Sequence, residues 1–214
     1  MRARMILRIL LVVVFLSMAS GGALAAEGKK ELRILAGTFP MYLFTQNVAR
    51  GVEGVKVDVM IPPGMGCPHD YALTPADMDK IGKSDVFVAN GLGLEGFLGA
   101  PLKRANSKIV LIDSSAGVTG LKEMTPEPSD KGHDKHQDAH MNPHLFASPR
   151  MAAKVVRNIA EGLAKADPDH APAYRGNAVT YAAGLDRLAD EFAALGTGLK
   201  SKRIVTEHAV FDYL

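Results

Sequence analysis

The sequence is poor in cysteine, in net charge and in long apolar runs, and each shortage removes a class of protein. One cysteine, Cys67, among 214 residues cannot build an internal disulfide framework or a cysteine-rich zinc finger. Any metal site in this chain must therefore be made of histidine and carboxylate. The 25 basic and 23 acidic residues nearly balance, so nothing resembles a nucleic-acid footprint. The apolar run from Ile9 to Met18 is about ten residues, half of the about 20 that a membrane-spanning helix needs. Arg2, Arg4 and Arg8 precede that run and Ala23-Leu24-Ala25 follows it, which is the pattern of a secretory signal peptide over residues 1–25. Cleavage after Ala25 is expected, with no cysteine following the run to take a lipid, so the product is expected to be exported, soluble and without membrane insertion. Removing three arginines leaves 22 basic against 23 acidic residues, a net charge of about −1. The 189 residues that remain suit one α/β domain.

From Leu32 onward, strand-like and helix-like segments alternate. Leu32–Ala36, Val55–Met60, Val86–Ala89, Ile109–Ile112 and Ile204–Thr206 read as short strands. Helical stretches are expected at Pro40–Arg50, Pro75–Gly82 and Leu94–Ala105, with two longer ones further on. Alternation of this kind predicts a parallel sheet with helices on its faces. Thr74-Pro75-Ala76-Asp77 marks a helix start, with a capping hydroxyl, a proline in the first turn and an acid near the positive end of the helix dipole. Ser148-Pro149 repeats the device. After it, Met151, Val155, Val156, Ile159 and Leu163 form one apolar face that should pack on the sheet.

Between Pro172 and Leu199 the apolar residues Tyr174, Ala178, Tyr181, Leu185, Leu188, Phe192, Leu195 and Leu199 follow one another at spacings of four and three. This unbroken stripe predicts one long helix over about 172–200, of roughly 42 Å, longer than a small domain is wide and suited to bridging two lobes. The expected organisation is an N-terminal α/β lobe over 26–171, this linking helix, and the opening of a truncated second lobe over 201–214. Thr125–Met141, rich in Pro, Asp, Lys and His, has almost nothing apolar to bury and reads as a solvated loop.

Three of the seven histidines occupy equivalent places. His69 lies in the loop after the second strand, His144 leads into the helix after Ser148, and His208 follows the strand expected at Ile204–Thr206. Open parallel sheets bind ligands beyond the carboxyl ends of their strands, so segments remote in sequence converge there. Pro68 and Pro143 stiffen the backbone before His69 and His144, which favours the close placement that metal ligands require. Three imidazoles plus a water or carboxylate complete a tetrahedral Zn²⁺ site.

The segments Thr38-Phe39-Pro40, Cys67-Pro68-His69-Asp70-Tyr71, Thr74-Pro75-Ala76-Asp77, Asn90-Gly91-Leu92-Gly93-Leu94-Glu95, Asn142-Pro143-His144-Leu145-Phe146 and Val205-Thr206-Glu207-His208 resemble, in order and spacing, the zinc/manganese solute-binding proteins of ABC importers. The resemblance implies a two-lobed periplasmic binding protein, a monomer when full length, with one metal in its cleft. It matches His69 and His144 to the two histidines of the first lobe and His208 to the first ligand of the second. That third position is typically histidine in zinc-binding relatives and carboxylate in manganese-binding ones, so Zn²⁺ is the expected cargo and Mn²⁺ the alternative, in line with ligand softness. The loaded protein would dock on an ABC membrane permease.

The fourth ligand is open to water. Asp70 could orient His69, Glu207 would point away from the metal if the strand persists, and Cys67 reads as a buried or oxidisable thiol. His133, His136 and His140, with acids between them, are accessory metal candidates in the solvated loop, equally consistent with a plain linker. His170 reads as an exposed turn residue. Asn90–Glu95 lacks the Lys-Ser/Thr of a phosphate-binding loop and reads as a tight strand-to-helix turn. Two rivals keep the histidines: a zinc hydrolase, against which no His-Glu-x-x-His helix is present, and a zinc buffer working through the His-rich loop; a closer alternative keeps the fold and makes the cargo Mn²⁺ or Fe²⁺. The chain is expected not to be an enzyme.

Overall fold

The computed structural model describes residues 31–65, 68, 71–124, 141–201, 203, 205–206 and 208–214. The expected signal peptide, Cys67, His69, Asp70, the loop histidines His133, His136 and His140, and Glu207 lie outside the described residues. Four strands, β1 (Leu32–Ala36), β2 (Val55–Val59), β3 (Val86–Ala89) and β4 (Val110–Asp113), form one parallel sheet in the order β2-β1-β3-β4. Leu32 stands opposite Val55, Ile34 opposite Val86, and Val86 opposite Val110. The helices are α1 (Phe39–Val48), α2 (Pro75–Gly82), α3 (Gly99–Ala105), α4 (Pro149–Ala166) and α5 (Ala171–Gly198). The parallel sheet with flanking helices and a long C-terminal helix is thus as expected.

Successive side chains of a strand point to opposite faces, and the two faces here are both apolar. Ile34 and Ala36 of β1, with Val86 and Val88 of β3 and Ile112 of β4, pack with α1, α4 and α5. Leu35 and Phe87 point the other way, onto Ile81 of α2 and Leu102 of α3. Central strand β3 is therefore almost wholly buried and β1 is buried from Ile34 to Ala36, whereas edge strand β4 exposes Val110 and Leu111. A fully buried aliphatic side chain contributes about 1.5–3 kcal/mol, so the two layers dominate the energetics of the fold. Met151, Val155, Val156, Ile159 and Leu163 are the buried face of α4, as their spacing predicted. At Gly162 the helix approaches the sheet so closely that a Cβ would stand 2.6 Å from the Ile112 side chain.

Helix α5 lies along α4, and Arg150–Asp190, Arg157–Asp186 and Arg175–Glu161 ion pairs line the seam. These are exposed and contribute little each; the apolar contact beneath them is what holds the pair. The Asn177 side chain donates to Val48 O and Arg50 O, tying α5 to the end of α1. The apolar stripe of α5 divides along its length. Tyr174 and Ala178 are buried, while Leu188, Phe192, Leu195 and Leu199 are 39%, 43%, 69% and 60% exposed. Among the described residues, no helix is long and apolar enough to cross a membrane.

Several local expectations are corrected. Val205 and Thr206 lie in no strand, Ile204 lies outside the described residues, and residues 208–214 fold against the loop around Asn142. The helix expected from Leu94 begins as a 3-10 turn at Gly96–Leu98 and becomes α-helical only at Gly99; Leu94 still belongs to the preceding turn, in which Gly91, Leu92 and Gly93 take positive φ and Leu94 N donates to Gly91 O. Thr74 makes the full capping box with Asp77, but Ser148 makes no side-chain cap bond. His170 is half-buried, with Nδ1 2.6 Å from Asp167 Oδ2, an oxygen that also accepts from the Tyr174 hydroxyl.

Candidate metal centre

The strand order places β1 between β2 and β3, so the connections leaving β1 and those entering β3 run to opposite sides. The carboxyl ends of β1 and β3 flank that switch point, where open α/β sheets form their ligand crevices. Thr38 and Asn90, the residues just past these two strands, are both buried. Asn90 Nδ2 donates to Pro143 O over 2.9 Å and thereby fastens the loop carrying His144 to the end of β3. The turn that follows Asn90 is tight for a steric reason. At Gly91, φ is 85°, and an added Cβ would lie 2.0 Å from Asp113 Oδ1 and 2.2 Å from Ser115 Oγ. Only glycine fits there.

Glu95 closes this turn from below. Its carboxylate accepts from Asn90 N at 2.8 Å and from Gly91 N at 3.3 Å, and it packs against Gly37. Burial pushes its pKa up to about 7, against the pull of those two backbone donors, and the neighbouring Asp113 carboxylate adds to the rise. Glu95 is thus a structural carboxyl group beneath the crevice.

His144 is 4% exposed and precedes the 3-10 turn Leu145–Ala147, which leads into α4. Its backbone N donates to Asn142 Oδ1 at 3.0 Å, and its ring Nδ1 lies 2.7 Å from the same oxygen. Asn142 Nδ2 donates to Ala209 O at 2.7 Å and to Asp212 Oδ2 at 2.8 Å. Both of those partners are acceptors, so the amide is oriented with its oxygen towards His144. Residues 208–214 are held to the same loop by Tyr213, whose hydroxyl donates to Asn142 O at 2.7 Å and accepts from Lys122 N.

The result of this docking is that the His144 and His208 rings stand 4.8 Å apart, centre to centre, and edge-on at 85°. Nε2 of His208 is shielded from solvent. With Zn–N bonds of about 2.0–2.1 Å and tetrahedral angles, two imidazoles on one ion have ring centres about 5 Å apart, so the observed separation is one that a shared ion accepts. Phe146 stands at the edge of the His144 ring, 5.7 Å away, and supplies an apolar wall.

His144 and His208, expected together from the sequence, are therefore brought together, whereas His69, His133, His136 and His140 lie outside the described residues. Pro68 and Tyr71, which flank His69 and Asp70 in the sequence, are described: Tyr71 N donates to Pro68 O, and the Tyr71 hydroxyl donates to Asp77 at the start of α2. Among the described residues, no group of three His, Cys, Asp or Glu side chains gathers at one point. The sequence reading assigned no role to Asn142, Asp212 or Tyr213. Asn142 could have been suspected from its place two residues before a candidate ligand, but Asp212 and Tyr213 carry no local signal.

Residues 34–214 match the protein family described as "Zinc-uptake complex component A periplasmic". The zinc-binding protein AdcA of Streptococcus pyogenes is 31% identical over the whole of this chain, which covers 43% of that protein. The high-affinity zinc uptake system protein ZnuA of Bacillus subtilis is 30% identical over 94% of this chain and 64% of its own length. The chain thus spans between about two fifths and two thirds of these relatives. The crystal structure of Zn(II)-bound AdcA from Streptococcus pneumoniae superimposes on 86% of this chain and 36% of that one, with a TM-score of 0.70 at 27% identity.

Proposed function

The chain belongs to the zinc-uptake complex component A periplasmic family, and from that membership we propose that it captures Zn²⁺ outside the cytoplasm and delivers it to an ABC-type import permease. The observation that carries the reading is the His144–His208 pair at 4.8 Å at the carboxyl edge of a parallel sheet. His69, whose sequence position follows β2, is the third imidazole of the proposed set, and water or a carboxylate completes the sphere. Imidazole ligands suit Zn²⁺ better than Mn²⁺, which prefers oxygen. Acidification weakens such a site, because protons and zinc compete for the same lone pairs.

Carrying fits this family better than turnover, since its members are described as components of an uptake complex. Titration calorimetry of the full chain with Zn²⁺ is expected to show one tight site, with His69→Ala, His144→Ala and His208→Ala each weakening it at least about tenfold. Unchanged affinity in the His144 or His208 variant would make the site wrong. Several weak ions bound per chain would favour the buffer reading through His133, His136 and His140. Zinc-dependent hydrolysis of a generic ester would favour an enzyme.

A further inference from the structure

Asn90 is buried at the carboxyl end of β3, with both halves of its backbone engaged: its N donates to Glu95 Oε1 at 2.8 Å, and its O accepts from Ser114 Oγ at 3.0 Å. The two hydrogens of its side-chain amide go to two carbonyls, Gly91 O at 3.1 Å and Pro143 O at 2.9 Å. Pro143 O belongs to the planar peptide group that contains His144 N, so its direction sets the plane from which His144 starts. The same oxygen accepts from Leu145 N at 2.8 Å, and His144, at φ −80° and ψ 43°, is the centre of the tight turn that this bond closes. That bond, and the one from His144 N to Asn142 Oδ1, run between near neighbours within residues 142–145. They set the shape of the turn but not its place on the sheet. The buried Leu145 side chain resists withdrawal of the turn from the core, but apolar burial has no direction. The bond from Asn90 has one, and it runs from the end of a strand.

We propose that Asn90 is a positioning residue for metal capture, which holds the His144 turn at the end of β3 through the Pro143 carbonyl. The inference rests on His144 being a ligand and concerns where that residue stands. The segment carrying His208 has an anchor outside the turn, because Lys122 N donates to the Tyr213 hydroxyl. When the tie from Asn90 is cut, His144 therefore moves relative to His208, and the separation that a shared ion needs is no longer fixed.

The test is a double-mutant cycle on Zn²⁺ affinity in the full chain, with the folded fraction of every variant checked by circular dichroism. Asn90→Ala is expected to weaken zinc binding about 10–100-fold, as loss of a group that orients a ligand does; a loss short of about tenfold overturns the proposal. On top of His144→Ala, the same change should cost less than about twofold, because the residue it positions is gone. An equal loss in both backgrounds marks a general effect on the fold and overturns the role. The visible absorption of bound Co²⁺, which reports ligand geometry, should depart from wild type in Asn90→Ala and approach that of His144→Ala; an unchanged spectrum counts against the role. Asn90→Ser, whose side chain is too short to reach Pro143 O, replaces the alanine variant if that one does not fold and carries the same expectations. If His144→Ala alone leaves zinc affinity unchanged, the capture reading fails; if it weakens binding and the Asn90 variants do not, only the positioning role fails.

Discussion

The buried Glu95 makes stability respond to pH in a direction opposite to that of most carboxylates. In the folded chain its pKa is raised from an ordinary value of 4.5 to about 7, chiefly by burial. The folded state therefore holds a proton that the unfolded chain releases between those two values, and stability falls as pH rises across this window. The contribution is fully present below pH 4.5 and is lost as pH passes about 7. The separation of the two values corresponds to about 3 kcal/mol, a large share of the 5–15 kcal/mol typical of whole domains. Glu95→Gln removes the titration but keeps an acceptor for Asn90 N. Its amide group faces Gly91 N, where a long bond is lost at a pH-independent cost of about 1 kcal/mol. The assay is urea denaturation of parent and variant from roughly pH 4.5 to 8, read as the difference between them, in which titrations common to both proteins cancel. The variant should gain about 3 kcal/mol on the parent across that range. A difference that stays flat with pH would refute the reasoning, and so would a change of the opposite sign.

Two further predictions concern the turn chemistry that frames the crevice. Gly91→Ala forces a side chain into a left-handed backbone and against Asp113 and Ser115, so a loss of at least about 2 kcal/mol is expected in denaturant melts; a loss below about 0.5 kcal/mol would contradict the packing described. Thr74→Ala breaks the reciprocal bonds with Asp77, and a loss of about 1 kcal/mol is expected by thermal denaturation, while the matching change at Ser148, which makes no cap bond, should be nearly neutral.

Much of the architecture was readable in one dimension, because periodicity and caps are local. The apolar runs at Leu32–Ala36 and Val86–Ala89 are strands with those bounds. The capping box after Thr74 starts a helix where its chemistry says it should, and the 28-residue stripe is one continuous helix. At Val205 and Thr206, where a strand was expected, the chain is in no strand; a short β-branched run becomes a strand only by pairing with a neighbour, and no sequence window shows whether it does.

The candidate site divides in the same way. Sequence alone narrowed which side chains could hold a metal, since a chain with one cysteine leaves histidine and carboxylate as donors and six segments in family order single out His69, His144 and His208. Tertiary structure alone decided that His144 and His208 meet, 64 positions apart, because hydrogen bonds from Asn142, Tyr213 and Lys122 draw residues 208–214 onto the loop at the end of β3. It alone decided, too, that Glu95 is buried and that the amide of Asn142 turns its oxygen to the imidazole. Such effects depend on what lies within a few ångströms in space, and distance in space is set by the packing of the whole sheet rather than by any stretch of chain.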